Sequence, residues 1–208
     1  MGYVVLIGGV ALWSLAHLFK RLAPERRARL GDPGKGLVAL LLILSIVLMV
    51  YGYRWAEYVY LWPRYEWATH VNNLFNLIAV WLFVASNAGG WIGARMRHPQ
   101  LTAVKIWALA HLLVNGDLAS LVLFGGLLAW AVVEVIVINR AARAAAGATA
   151  PAGAALAGAE GMGAYHVTEP PPKAPGPWWR DAAAFAIALV LYGAIAWVHT
   201  LFGLWPFG

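Results

Sequence analysis

His111 stands inside the apolar run Lys105-Ile-Trp-Ala-Leu-Ala-His111-Leu-Leu-Val-Asn-Gly-Asp117, and His17 inside a second apolar run from Tyr3 to Leu22. An ionisable ring in hydrocarbon is costly and persists mainly where it has a partner or a task. Neutral imidazole is a common ligand for iron, so two such histidines point to a metal or haem between helices. The competing reading of each histidine alone is a hydrogen-bonded packing residue. His199, late in the last apolar run, is an alternative ligand.

At helical spacing, Trp107 (i−4) and Asn115 (i+4) share the face of His111 and are candidate cofactor contacts, with Ala108 and Val104 beside them. This small, flat face suits a planar cofactor. Around His17 the same spacing places Trp13, Ser14 and Gly9, and Ser14 could orient the imidazole. Lys105 and Glu134 lie ~9 Å and ~6 Å above the same membrane face on adjacent runs, at 1.5 Å per residue. Two charges at similar depth predict a salt bridge between them, with proton relay as the sharper alternative. Lys105, with Arg95 or Arg97, could instead meet haem propionates. His98 reads as an interfacial or helix-start contact, His70 as near solvent and His166 as solvated.

The elements that must position these residues are membrane helices. Apolar types make up 62% of 208 residues and charged types 12%, against about 45–50% and ~25% in soluble domains. The expected fold is all-α, a polytopic helical bundle with runs at 3–22, 36–54, 69–87, 99–115, 117–138 and 182–203. The 99–138 stretch reads as a tight hairpin turning at Asn115-Gly116-Asp117, with a re-entrant element as the alternative. Placing the loop after the first run inside puts 13 of the 15 Lys and Arg residues inside, leaving Arg54 and Arg64 outside. About six spans with both termini outside follows. The first run lacks a basic n-region and a cleavage site and reads as a retained span.

Residues 141–180, Ala/Gly-rich then Pro-rich, read as a cytoplasmic linker separating a 1–140 core from the final helix in 181–208. The aromatics from Tyr51 to Trp67 read as an interfacial belt or as a lid over an apolar ligand. Trp178 and Trp179 read as interfacial anchors, and Gly125-Gly126 with Ala129 as a helix-packing pattern. With no cysteine, disulfides, thiolate haem ligation and cysteine-held clusters are excluded. No hydrolase, kinase, zinc-protease or nucleic-acid motif is present. One difficulty is depth. His17 lies ~7 Å and His111 ~18 Å above the inner face, so one haem shared between them must tilt or the boundaries must shift.

The run Arg97 to Ser120, followed by Leu123-Phe-Gly-Gly-Leu-Leu-Ala-Trp-Ala131, closely resembles the NnrU family of bacterial membrane proteins, which includes the plant 15-cis-zeta-carotene isomerase. Looser similarity covers the first run through His17 to Gly36 and the last run with His199. The resemblance implies a haem b protein with axial ligands at His17 and His111. It implies that ferrous haem assists cis–trans isomerisation of a polyene such as a carotene. Bacterial members are instead tied to denitrification. The plant enzyme carries a cysteine three residues before the hairpin histidine. Ala108 stands there in this chain, so a ligand switch through that thiol is absent. Expected partners are the lipid bilayer, an apolar polyene and a membrane redox or denitrification partner. The alternative is a non-catalytic haem module for electron transfer or nitric oxide sensing, and a third is an assembly protein without haem.

Overall fold

A computed structural model describes residues 1–149 and 174–206. Its regular elements are all helical: α1 Gly2–Leu22, α2 Pro24–Arg29, α3 Pro33–Trp55, α4 Glu66–Ala88, α5 Trp91–Arg95, α6 Pro99–Val114, α7 Leu118–Ser120, a π-helical segment Leu121–Gly125, α8 Gly126–Thr149 and α9 Trp179–Leu201. Pro24, Pro33 and Pro99 each open a helix, where the missing N–H costs nothing. Gly89, at φ 64°, ends α4 in the left-handed conformation that glycine adopts most readily.

Among the described residues, five helical stretches are long and apolar enough to cross a membrane, while Pro99–Val114 is a shorter apolar helix. The six expected runs thus fall on six helices, with boundaries shifted by a few residues. Their exposed surface carries large apolar side chains such as Leu40, Ile43, Phe83, Val190 and Trp197, as lipid-facing helices do. The first residues of the expected linker continue α8, which runs on to Thr149 because its alanines sustain the helix. The rest of that linker up to residue 173, with His166, lies outside the described residues.

The helices form two groups joined by α8. Helix α1 packs along α3, and α4 packs against α6 and α9, while α8 touches both α1 and α6. Small residues permit the close crossings. A Cβ on Gly52 of α3 would meet the Leu6 backbone of α1, and one on Gly126 would meet Val10 Cγ1 at 2.7 Å. The second group packs around Ala79, Leu82, Ala85, Ile92, Ala103 and Ala184.

Asp181, buried at the start of α9, closes one end of this group. Its carboxylate accepts from the backbone N–H groups of Trp91 (2.7 Å) and Ile92 (3.3 Å) at the start of α5, and its carbonyl accepts from the Trp81 indole at 3.1 Å.

At the other end the hairpin turn is locked from outside. The Gly116 carbonyl accepts from the N–H groups of Leu61 (2.8 Å) and Trp62 (3.2 Å), while Leu118 N–H donates to the Val59 carbonyl at 2.9 Å. The Trp62 indole donates to the Leu112 carbonyl at 3.2 Å. Gly116 is required there, since a Cβ would strike the Trp62 carbonyl. Asp117 caps the next helix as expected, accepting from Ser120 N–H at 2.9 Å and from its hydroxyl at 2.6 Å.

Candidate functional site

At this hairpin end the helices enclose a cavity of about 470 Å³. This is within the roughly 300–1,000 Å³ of ordinary ligand sites. It is lined by His111, Trp107 and Asn115 of α6, by Leu123 and Phe124 of the π-helical segment, and by Tyr192, Ile195, Ala196 and His199 of α9. Asn72, Asn73 and Asn76 of α4 form another wall, and Gly203, Leu204, Trp205 and Pro206 also line it. The expected face Trp107–His111–Asn115 therefore lines a cavity. Ala108, three residues before His111, is fully buried and lies off it.

The π-helical turn brings Phe124 into this wall. A five-residue turn shifts the side-chain register of the helix, and such insertions recur at functional sites. Phe124 stacks on His111 and meets Trp107 edge-on, with ring centroids 4.6 Å and 5.1 Å away. The Tyr53 hydroxyl shares a 2.8 Å hydrogen bond with Ser120 just before the π turn, tying α3 to it.

Both cavity histidines are oriented by their own helices. His111 Nδ1 lies 2.9 Å from the Trp107 carbonyl, and His199 Nδ1 lies 2.8 Å from the Ile195 carbonyl. A carbonyl only accepts, so Nδ1 of each neutral ring carries the proton and Nε2 keeps its lone pair. That is the tautomer a metal-binding histidine needs, held by the partner of the other nitrogen.

His17 is oriented in the same way, its Nδ1 3.0 Å from the Trp13 carbonyl. Ser14, expected to orient it, donates instead to the Val10 carbonyl at 2.8 Å, because a helical serine reaches its own i−4 carbonyl more easily. His17 does not line the cavity. It sits between Trp13 (4.3 Å) and Trp130 (4.7 Å), measured between ring centroids. Trp13 Nε1 and Trp130 Nε1 are both buried donors without a partner.

The charge pairing also differs from expectation. Glu134 Oε1 lies 3.7 Å from Arg21 Nε of α1, not against Lys105. Equal depth on adjacent helices does not fix which way a side chain turns about its helix axis, and Glu134 turns to α1. The second carboxylate oxygen, Oε2, is buried without a partner. His98 Nε2 meets Asn139 Oδ1 at 2.9 Å, joining the start of α6 to α8, and His70 is exposed. The aromatic run divides between roles. Tyr53 lines the cavity and Trp62 pins the hairpin, while Tyr51, Trp55, Tyr58, Tyr60, Tyr65 and Trp67 are exposed.

Sequence reasoning passed over the asparagines of α4. Their signal was present, as Asn72, Asn73 and Asn76 at i, i+1 and i+4 fall close together on an otherwise apolar helix.

Among the described residues no group of three or more His, Cys, Asp or Glu is placed to hold a bare metal ion. Haem asks less of the protein, since the macrocycle supplies four nitrogens and the chain supplies only axial ligands. His111 and His199, which line one cavity with their Nδ1 atoms committed to backbone carbonyls, and the aromatic walls of Trp107 and Phe124 fit such a group.

Fold and site together define a multi-pass helical membrane protein with a cavity lined by two histidines among its helices. The family model described as NnrU protein matches residues 5–206, nearly the whole chain, so the chain belongs to the NnrU family. No curated protein matches the chain, and no solved structure does.

Proposed function

We propose that this NnrU-family protein binds haem b in the cavity between α6 and α9, where His111 would hold the iron and His199 would be the second histidine available to it. The observation that carries this reading is the convergence of the two imidazoles on one cavity with their Nδ1 atoms committed to backbone carbonyls. Trp107 and Phe124 fix the His111 ring from two sides, and Asn115 donates to the His111 carbonyl at 2.9 Å, closing the end of the helix that carries it. When bound, haem would supply a redox-active iron able to assist cis–trans isomerisation of a polyene such as a carotene without net redox change. The chain's own part in that role is to orient the imidazoles and to offer an apolar lining from Val114, Leu123 and Phe124.

A non-catalytic haem module, for electron transfer, nitric oxide sensing or service to a denitrification complex, is the second reading. The polar asparagine wall favours it, because a hydrocarbon polyene leaves those amides unmatched. His17 is the second candidate for the other axial position. Its free Nε2 and the two unpartnered indole donors around it favour that role, while its place outside the cavity disfavours it.

The basic-residue bias supports six spans with both termini and the cavity end outside, and membership of the NnrU family supports a bacterial inner membrane. Haem titration of the apoprotein in detergent, wild type against His111→Ala, tests the reading. A Soret band near one haem per chain that His111→Ala abolishes supports it, and no haem uptake overturns it.

A further inference from the structure

The cavity is polar on one side, in an ordered way. Asn76 Nδ2 donates to both the backbone carbonyl (2.9 Å) and Oδ1 (2.8 Å) of Asn72. Asn72 Nδ2 then donates to Asn73 Oδ1 at 3.2 Å. The two Asn72 oxygens can only accept, so the Asn76 amide must turn its nitrogen toward them. That strands Asn76 Oδ1, buried without a donor, at one end of the relay. The Asn73 Nδ2 donor is left at the other end. Asn72 itself is 91% buried, its exposure being 9%. Arg64 also lines the cavity, and its Nε (3.2 Å) and Nη2 (3.0 Å) both donate to Thr69 Oγ1. Thr69 is one helical turn before Asn73, and Arg64 and Asn73 both line the cavity, so the exposed guanidinium is tethered on the relay's side of it.

We propose that this wall is an acid-recognition site. The resident ligand is a planar, amphipathic diacid: one carboxylate is received by Arg64 and Asn73, and the second acid group keeps its proton and donates its O–H to Asn76 Oδ1. A tethered guanidinium on the same cavity wall as an amide donor is an arrangement that binds carboxylates. The stranded acceptor calls for a donor that a hydrocarbon lacks. The inference rests on the reading of the cavity as a tetrapyrrole site and adds where the acid groups lie. They point to the hairpin end, beside Arg64, and not to Lys105, Arg95 or Arg97.

The test separates acid recognition from iron ligation. Metal-free protoporphyrin IX and its dimethyl ester are titrated into the detergent-solubilised full chain, followed by tryptophan quenching. Haemin and haemin dimethyl ester are followed by the Soret band. The acid form should bind roughly tenfold tighter than the ester, the worth of one charge-assisted hydrogen bond. Arg64→Met should bring that ratio close to one, and Arg64→Lys should restore part of it. If Arg64→Met does not fold, Asn73→Leu makes the same comparison. His111→Ala should lose the Soret shift with haemin but keep the acid preference for the metal-free porphyrin. Equal affinity for acid and ester, an unchanged ratio in Arg64→Met, or binding of neither porphyrin overturns the inference. An acid preference without any iron-ligand spectrum overturns the haem reading alone.

Discussion

His111 and Phe124 are stacked, with ring centroids 4.6 Å apart and planes 27° from parallel. The contact exists because five residues of the helix after the hairpin wind as a π turn and carry Phe124 toward α6. Aromatic contacts of this kind are worth about 0.5–1.5 kcal/mol beyond burial. Phe124→Leu should therefore leave the chain folded, keep the Soret maximum and raise the haem off-rate by roughly two- to tenfold. Stopped-flow transfer of haem to apomyoglobin reads that rate. An unchanged rate would separate Phe124 from the site.

Arg21, not Lys105, partners Glu134. Arg21→Met should leave a buried carboxylate without its counter-charge and lower the unfolding temperature in detergent. Lys105→Met should change it by little. The loss should be modest, since Arg21 is 38% exposed at its side chain and solvent screens the pair. Equal losses in both variants would restore the Lys105 pairing.

Much of this architecture was legible in the sequence, and the parts that were not share a cause. Apolar runs fix where helices lie along the membrane normal, so 36–54 became Pro33–Trp55 and 69–87 became Glu66–Ala88. Asp117 and Gly116 announced the hairpin because each has a local conformational reason. Rotation about the helix axis left no comparable mark, which is why Glu134 was paired with the wrong helix and Ser14 with the wrong acceptor. The depth mismatch between His17 and His111 was visible in advance. In the structure they pack against Trp130 and Phe124, six residues apart along one helix, or about 9 Å. The asparagine relay was overlooked because its residues lie inside a span read for its hydrophobicity alone.

Asp181 bridges α9 to α5 through two backbone N–H groups. Asp181→Ala should strand both donors in a buried position and cost about 1–3 kcal/mol. Thermal unfolding in detergent reads this, and Asp181→Asn should recover part of the loss. The cavity lies at the opposite end of the bundle, so haem affinity should hold. A fall in haem affinity larger than the fall in stability would contradict that separation.

Gly116 accepts the 56–65 loop at a point where any Cβ meets the Trp62 carbonyl. Gly116→Ala should free the loop from the hairpin and expose the Val59–Trp62 backbone to rapid hydrogen exchange. Trp62→Phe, which removes only the indole bond to Leu112, should have a smaller effect in the same segment. Exchange protection unaltered by Gly116→Ala would show that the loop is held elsewhere.

The most direct measurement is the absorption spectrum, oxidised and dithionite-reduced, of haem-loaded wild type beside His111→Ala, His199→Ala and His17→Ala. The account predicts a Soret band lost in His111→Ala, a six- to five-coordinate change in His199→Ala and a wild-type spectrum in His17→Ala. Retention of the wild-type spectrum in His199→Ala, with its loss in His17→Ala, would contradict the placement of the ligand between α6 and α9.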